Sequence, residues 1–210
     1  MRKQLMLAVV VALVVAAPAR GASVTYNGGI FSLDLASQSA DGTQFTVIYT
    51  ADLANFTGDD GQQDYIYGVG FMPAPANISG FSGSSGYGWS FRGDELSANG
   101  CSSGNDSFAC ASTWDGAAFQ TLALATASSG STLTWTFVLT YASPVSNFSL
   151  DGVSIKAAFS SDNSGVNQRG LMSLTTASVP EPGSLAFLGV GLLGAAIGLR
   201  RFHKEHARAR

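Results

Sequence analysis

Histidine is absent from most of this chain. Of its 210 residues only His203 and His206 are histidines, and both lie close to the C-terminal end. The long segment before them cannot build a Ser-His-Asp or Cys-His nucleophile, because the general base of such sites is an imidazole. It also cannot build a zinc site with histidine ligands. We therefore predict a protein that is not an enzyme, with no catalytic residues and no required cofactor.

Basic residues are equally scarce between Gly21 and Ser178. This part of the chain has three basic residues, Arg92, Lys156 and Arg169, and twelve acidic ones. Three minus twelve gives it a formal net charge of −9, whereas the net charge of the whole chain is −3. A body this acidic is repelled by phosphate backbones. We predict that it does not bind nucleic acid.

Helical periodicity of core length is missing outside the two ends of the chain. Thr132–Tyr141 instead alternates strictly, with Leu133, Trp135 and Phe137 on one face and threonines on the other, as half-buried antiparallel sheet requires. The sequence predicts an all-β fold, a single jelly-roll-like β-sandwich domain over residues 20–178. The predicted strands are 24–27, 30–35, 44–51, 65–72, 87–92, 119–125, 132–141, 153–159 and 170–176, with loops over 80–88 and 94–108.

Cysteine occurs only twice, at Cys101 and Cys110. Two thiols are too few for a metal site, and the N-terminal signal peptide described below would send both into an oxidising compartment. We predict a Cys101–Cys110 disulfide. A loop this short gains about 2.5 to 3 kcal/mol in the chain-entropy description.

Two further sites are weak possibilities. Asp59, Asp60 and Asp64 form the densest acidic loop, which offers oxygen ligands for Ca²⁺ without the EF-hand spacing. Tyr87 and Trp89, beside a Gly/Ser-rich loop, offer ring faces for stacking on sugars, although large aromatic residues more often fill cores.

Carboxylates alone can also support glycoside hydrolysis. Asp94 and Glu95 are adjacent, and neighbours on a strand point to opposite faces. They make a poor pair unless a distant acid joins one of them, so a solvated loop is the preferred interpretation.

The N-terminus predicts a signal peptide over residues 1–19. Arg2 and Lys3 precede an apolar run, 5–17, and Ala17-Pro18-Ala19 supplies the small residues that signal peptidase reads. Cleavage after Ala19 is expected, with Ala22 as the alternative position.

The C-terminal segment, 179–210, begins with Val179-Pro180-Glu181-Pro182 and continues into an uncharged run, 184–199. As a helix this run reaches about 24 Å, a short transmembrane anchor. Its residues include Ser184, Leu185, Leu192, Leu193 and Leu199. Arg200 and Arg201 follow as a stop-transfer signal that keeps this end in the cytoplasm.

This order of turn, short apolar helix and arginine cluster resembles the PEP-CTERM sorting signal of Gram-negative bacteria. The resemblance covers about the last 32 residues and rests on Val179–Pro182, the glycine-rich helix and Arg200-Arg201. It implies recognition at the inner membrane by an exosortase, a membrane transpeptidase, and passage to the cell surface or the extracellular matrix. An ordinary C-terminal membrane anchor is the alternative.

The function predicted from these features is that of an exported, membrane-anchored precursor of a surface protein. Its mature part is expected to be a non-catalytic structural or interaction protein of the exopolysaccharide or biofilm matrix, with the matrix polymer or other surface proteins as partners. A carbohydrate-binding, lectin-like module is the first alternative. A glycosidase or lyase that uses carboxylates alone is the second.

Overall fold

Strands make up all the regular secondary structure in the described part of the chain. The computed structural model describes residues 21–58, 65–75, 77–97, 99–101, 108–113, 121–125, 132–163 and 168–178, which lie within one unit, Arg20–Val179. The strands are β1 (Gly21–Tyr26), β2 (Gly29–Gln38), β3 (Gln44–Asp52), β4 (Tyr65–Phe71), β5 (Gly80–Ser85), β6 (Ser90–Arg92), β7 (Leu96–Ser97), β8 (Gly100–Cys101), β9 (Ala109–Ser112), β10 (Ala123–Leu124), β11 (Thr132–Thr140), β12 (Ser154–Ser160), β13 (Gln168–Thr175) and β14 (Ala177–Ser178).

These strands form two large antiparallel sheets. Sheet one has the order β14-β1-β2-β3-β11-β5, and sheet two has the order β13-β12-β4-β9-β6, with β10 also paired to β4. Strands β7 and β8 make a separate short hairpin. The longest ladder joins β3 and β11 over nine residue pairs, from Thr132↔Asp52 to Thr140↔Gln44.

The two large sheets share one hydrophobic core. Phe31 on sheet one and Phe159 on sheet two meet edge to face at 6.2 Å between ring centroids. Tyr49, on sheet one, donates a hydrogen bond of 3.0 Å from its hydroxyl to the backbone oxygen of Lys156 on sheet two. The predicted all-β class is confirmed, and the shared core is what a β-sandwich requires. Its jelly-roll connectivity stays a prediction.

Strand β11 follows the predicted alternation. Leu133, Trp135, Phe137 and Leu139 are buried, whereas the threonines between them are exposed or half-buried. Apolar side chains at every second position place one face of β11 against the core, which fixes its register on β3.

Two segments predicted as loops contain strands. Residues 80–88 include β5, which pairs with β11, and residues 94–108 include the β7–β8 hairpin. Both predictions were wrong because glycine and serine carry no strand signal of their own, while a free strand edge can still hold them by backbone hydrogen bonds. The predicted strand 87–92 shortens to Ser90–Arg92.

In the parts of the chain just described, no helix has the length and apolar character needed to cross a bilayer. The predicted signal peptide, the sorting motif and the C-terminal anchor all lie outside the described residues.

Candidate functional site

The outer face of sheet two is covered by the β7–β8 hairpin. A second hydrophobic cluster forms there, made of Tyr67, Leu96, Cys101, Cys110, Leu122 and Ala158. Leu96 lies directly over β4 because the residues beneath it are Gly68 and Gly70: a Cβ built on Gly70 would be 3.4 Å from Leu96 Cβ, and one on Gly68 would meet its Cδ1. The two glycines thus allow the hairpin to approach the sheet closely.

The predicted disulfide is present in this covered region. Cys101 on β8 is bonded to Cys110 on β9, with 5.8 Å between their Cα atoms. Both cysteines are buried, and the backbone N–H of Cys101 donates to Ser112 Oγ at 3.5 Å. The disulfide therefore ties the hairpin to sheet two.

An ion pair makes a second attachment. Lys156 Nζ, on the outer face of β12, donates a hydrogen bond to Glu95 Oε1 and lies 4.8 Å from the centroid of the Phe108 ring. The Lys156 side chain is 9% exposed and that of Glu95 is 32% exposed. The ring face and the carboxylate together offset the loss of hydration of the ammonium group.

The structure separates the two adjacent carboxylates that the sequence offered for glycoside hydrolysis. Glu95 contacts Lys156, whereas Asp94 lines a cleft at the edge of the fold. The structure does not bring the two carboxylates to a common site.

The surface placement expected of Trp89 was wrong. Trp89 is 6% exposed, its indole N–H donates to the backbone oxygen of Thr121 at 2.8 Å, and its ring centroid is 5.2 Å from that of Trp135. Its ring is thus part of the core, which leaves no free face for a sugar. Tyr87 is half-buried beside it, at 5.9 Å between ring centroids; burial raises the pKa of its hydroxyl, partly opposed by a backbone hydrogen bond at Thr134.

The acidic loop proposed for Ca²⁺, with Asp59, Asp60 and Asp64, lies outside the described residues. Within the described ranges, no three His, Cys, Asp or Glu side chains are grouped so that they could hold a metal ion.

Sheet one presents a hydroxyl-rich outer face. Ser23, Ser32, Thr50 and Thr134 lie side by side in register across four neighbouring strands, which are spaced about 4.8 Å apart. A parallel row runs through Asp34, Ile48, Thr136 and Ser84. We call these two rows the hydroxyl face. The strands that carry it contain no lysine or arginine.

A cleft of about 440 Å³ opens between the edge strands β5 and β6. Two aromatic rings form its wall, one from each strand. Phe81 on β5 lies against Gly93, and Phe91 on β6 lies against Gly83. A Cβ atom added to either glycine would collide with the ring that lies against it. The residues that line the cleft are Ile78, Ser79, Phe81, Phe91, Arg92, Gly93 and Asp94. Sequence reasoning missed this cleft because its walls come from two different sheets.

Comparison with known proteins identifies the C-terminal segment. Residues 178–201 match the model of the PEP-CTERM protein-sorting motif, which confirms the resemblance noted at Val179–Pro182. The motif indicates an exported protein that is made as a membrane-anchored precursor and processed by an exosortase at the membrane. No curated protein matches the chain.

Proposed function

We propose that this protein is a non-catalytic component of the bacterial cell surface or of the exopolysaccharide matrix. The observation that carries the proposal is the sorting-motif match over residues 178–201, because an exosortase substrate is directed outward from the inner membrane. The acidic, disulfide-tied body fits an exported cargo.

The hydroxyl face is the surface through which such a protein would contact matrix polymer. Its serine and threonine side chains both donate and accept hydrogen bonds, and four of them form one unbroken row across β1, β2, β3 and β11. The absence of basic residues from these strands favours a neutral polymer over an anionic one.

The ion pair at Glu95 supports the non-catalytic proposal. A general acid for glycoside hydrolysis must present its carboxyl group to the substrate, but Glu95 is hydrogen-bonded to the ammonium group of Lys156. Incubation of the protein with polysaccharides should give no reducing ends, with the wild type and with Glu95→Gln alike. Turnover that Glu95→Gln abolishes would establish the glycosidase or lyase instead.

A lectin-like module is the second candidate function. The open cleft between β5 and β6 favours it, because aromatic rings beside polar groups can hold a sugar by ring contacts and hydrogen bonds.

The deciding experiment for the sorting proposal is the intact mass of the protein recovered from the envelope and the medium of its native host. We expect a mass that ends near Pro180–Pro182, together with the loss of residues 1–19. In a Pro180→Ala/Pro182→Ala variant the tail should be retained, whereas Pro144→Ala, which changes an exposed proline of the body, should be processed normally. A wild-type mass that still includes Arg210 would mean that the tail is only an anchor.

A further inference from the structure

We propose that the cleft between β5 and β6 is a binding site for a neutral saccharide, with Phe81 and Phe91 as its apolar wall and Arg92 and Asp94 as its polar contacts. The proposal rests on the proposed function as a matrix protein, and it gives that function a specific ligand site.

The aromatic wall is fixed before any ligand arrives. Phe81 is seated against Gly93 and Phe91 against Gly83, and Phe91 also packs edge to face on the core residue Phe137 at 5.0 Å between ring centroids. Both rings stay partly accessible. A sugar that packs its C–H groups on them therefore meets rigid apolar surface and costs little side-chain entropy.

The polar contacts are held at both ends of a short segment, 92–95. Arg92 pairs with Cys110 in the β6–β9 ladder, and Cys110 is fixed by the disulfide to Cys101. At the other end, Glu95 is held by Lys156. The backbone that carries Arg92 and Asp94, on either side of Gly93, is thus fixed at both ends, and both residues line the cleft.

The chemistry of these groups fits a saccharide. A guanidinium group is a hydrogen-bond donor and a carboxylate is an acceptor, so the two side chains present both of the roles that sugar hydroxyls can pair with. The cleft has a volume of about 440 Å³ and is open to solvent, so a sugar bound in it would keep one side in contact with water. Asp94 and the acidic body disfavour a uronate or another anionic sugar.

The test is binding of the protein to defined oligosaccharides by calorimetry, after it has been purified in detergent from the host envelope in the form in which the host leaves it. The probes are hexasaccharides of cellulose, xylan and laminarin as neutral ligands, and of alginate and polygalacturonate as acidic ones. We expect at least one neutral probe to bind and the acidic probes to bind at least tenfold more weakly.

Three variants locate the site. Ser79→Trp fills the cleft from an exposed lining position and should abolish binding, and Asp94→Asn should weaken it at least tenfold. Asp151→Asn removes the same charge at an exposed turn outside the cleft and should change nothing. No binding of any neutral probe, binding that survives Ser79→Trp, or a preference for the acidic probes would each overturn the proposal.

The two proposals fail separately. Suppose that the Ser79→Trp protein still reaches the surface and stays in the matrix, and that wild type binds none of the neutral probes. The proposed function would then stand, and the cleft as a saccharide site would be rejected. If the purified protein binds a neutral probe through the cleft but never appears outside the inner membrane, the saccharide site stands and the proposed surface function is rejected.

Discussion

Lys156 Nζ and Glu95 Oε1 form an ion pair that joins residues 61 positions apart in the sequence. It connects β12, an inner strand of sheet two, to the residue just before the β7–β8 hairpin. The two partners are buried to different extents, because 9% of the Lys156 side chain is exposed against 32% for Glu95. This asymmetry makes the consequences of removing either partner unequal.

Glu95→Gln is expected to destabilise the fold more than Lys156→Met. The first change leaves a nearly buried ammonium group without its counter-charge, at a cost of about 3 kcal/mol in the free energy of unfolding. The second leaves a carboxylate that water already reaches, at a cost of about 1 kcal/mol. Chemical denaturation of the two variants and of the double variant measures both values and their coupling.

The control for this pair is Asp94→Asn, which neutralises the neighbouring carboxylate and should shift the unfolding free energy by less than about 0.5 kcal/mol. The double variant should be more stable than Glu95→Gln alone, because it removes the stranded charge. Equal losses from both single changes, with no coupling, would contradict a structural role for the pair.

Cys101→Ala/Cys110→Ala is expected to lower the free energy of unfolding by about 2.5 to 3 kcal/mol, because the unfolded chain regains the entropy of a closed short loop. The wild type should resist reductant under native conditions, since its cysteines are 2% and 0% exposed. After unfolding in reductant it should gain the mass of two hydrogens. A native wild type that reacts rapidly with reductant would show that the hairpin opens without global unfolding.

The sequence is sufficient to predict the parts of this fold in which the signal is local. The alternation in β11 identifies its buried face, and two cysteines in an exported chain identify a disulfide. Strand β5 gives no such signal, because its residues, GFSGSS, favour a turn and become a strand only by pairing with β11. Strand β5 can therefore be predicted only when its partner strand is known, because the segment alone does not indicate a strand.

The candidate sites were less predictable, for the same reason. The threonines of β11 are visible in the sequence, but their alignment with Ser32 and Thr50 depends on the register of three strands. Trp89 was expected at the surface because it lies beside a Gly/Ser-rich loop, yet its ring packs against the distant Trp135. The aromatic cleft joins residues from two sheets and has no local pattern that would reveal it.

Gly28→Ala is expected to be far more damaging than Gly152→Ala. Both glycines have positive φ, +81° and +67°, so alanine is strained by about 1 kcal/mol at either one. At Gly28 the new Cβ would also collide with the backbone oxygen of Asn55, whereas nothing lies within 4 Å at Gly152. The total loss at Gly28 should therefore exceed 3 kcal/mol, roughly the range of a severe backbone clash.

The comparison is made by thermal unfolding of the two variants side by side, with wild type as the reference. Gly152→Ala serves as the control, since it shares the backbone strain and lacks the collision. Similar unfolding temperatures for the two variants would show that the turn at Asn27-Gly28 can move away from Asn55 at little cost.

The buried tyrosines predict a loss of stability at alkaline pH. Burial raises the pKa of Tyr67 and Tyr141 to about 12 and that of Tyr49 well above its ordinary value. In the unfolded chain the same hydroxyl groups ionise near pH 10. Their contribution to stability is complete below about pH 10 and is lost as the pH rises towards 12, because the unfolded state then releases protons that the folded state retains.

Tyr141→Phe isolates one of these groups. Its hydroxyl donates to the backbone oxygen of Pro75 at 2.9 Å, so the variant should be less stable than wild type by about 1 kcal/mol at neutral pH. Above about pH 10 that difference should shrink, since phenylalanine has no proton to lose. Denaturant titrations at several alkaline pH values, with tyrosinate absorbance recorded in parallel, measure it. A difference that stays constant up to about pH 12 would show that Tyr141 ionises equally readily in the folded and unfolded chains.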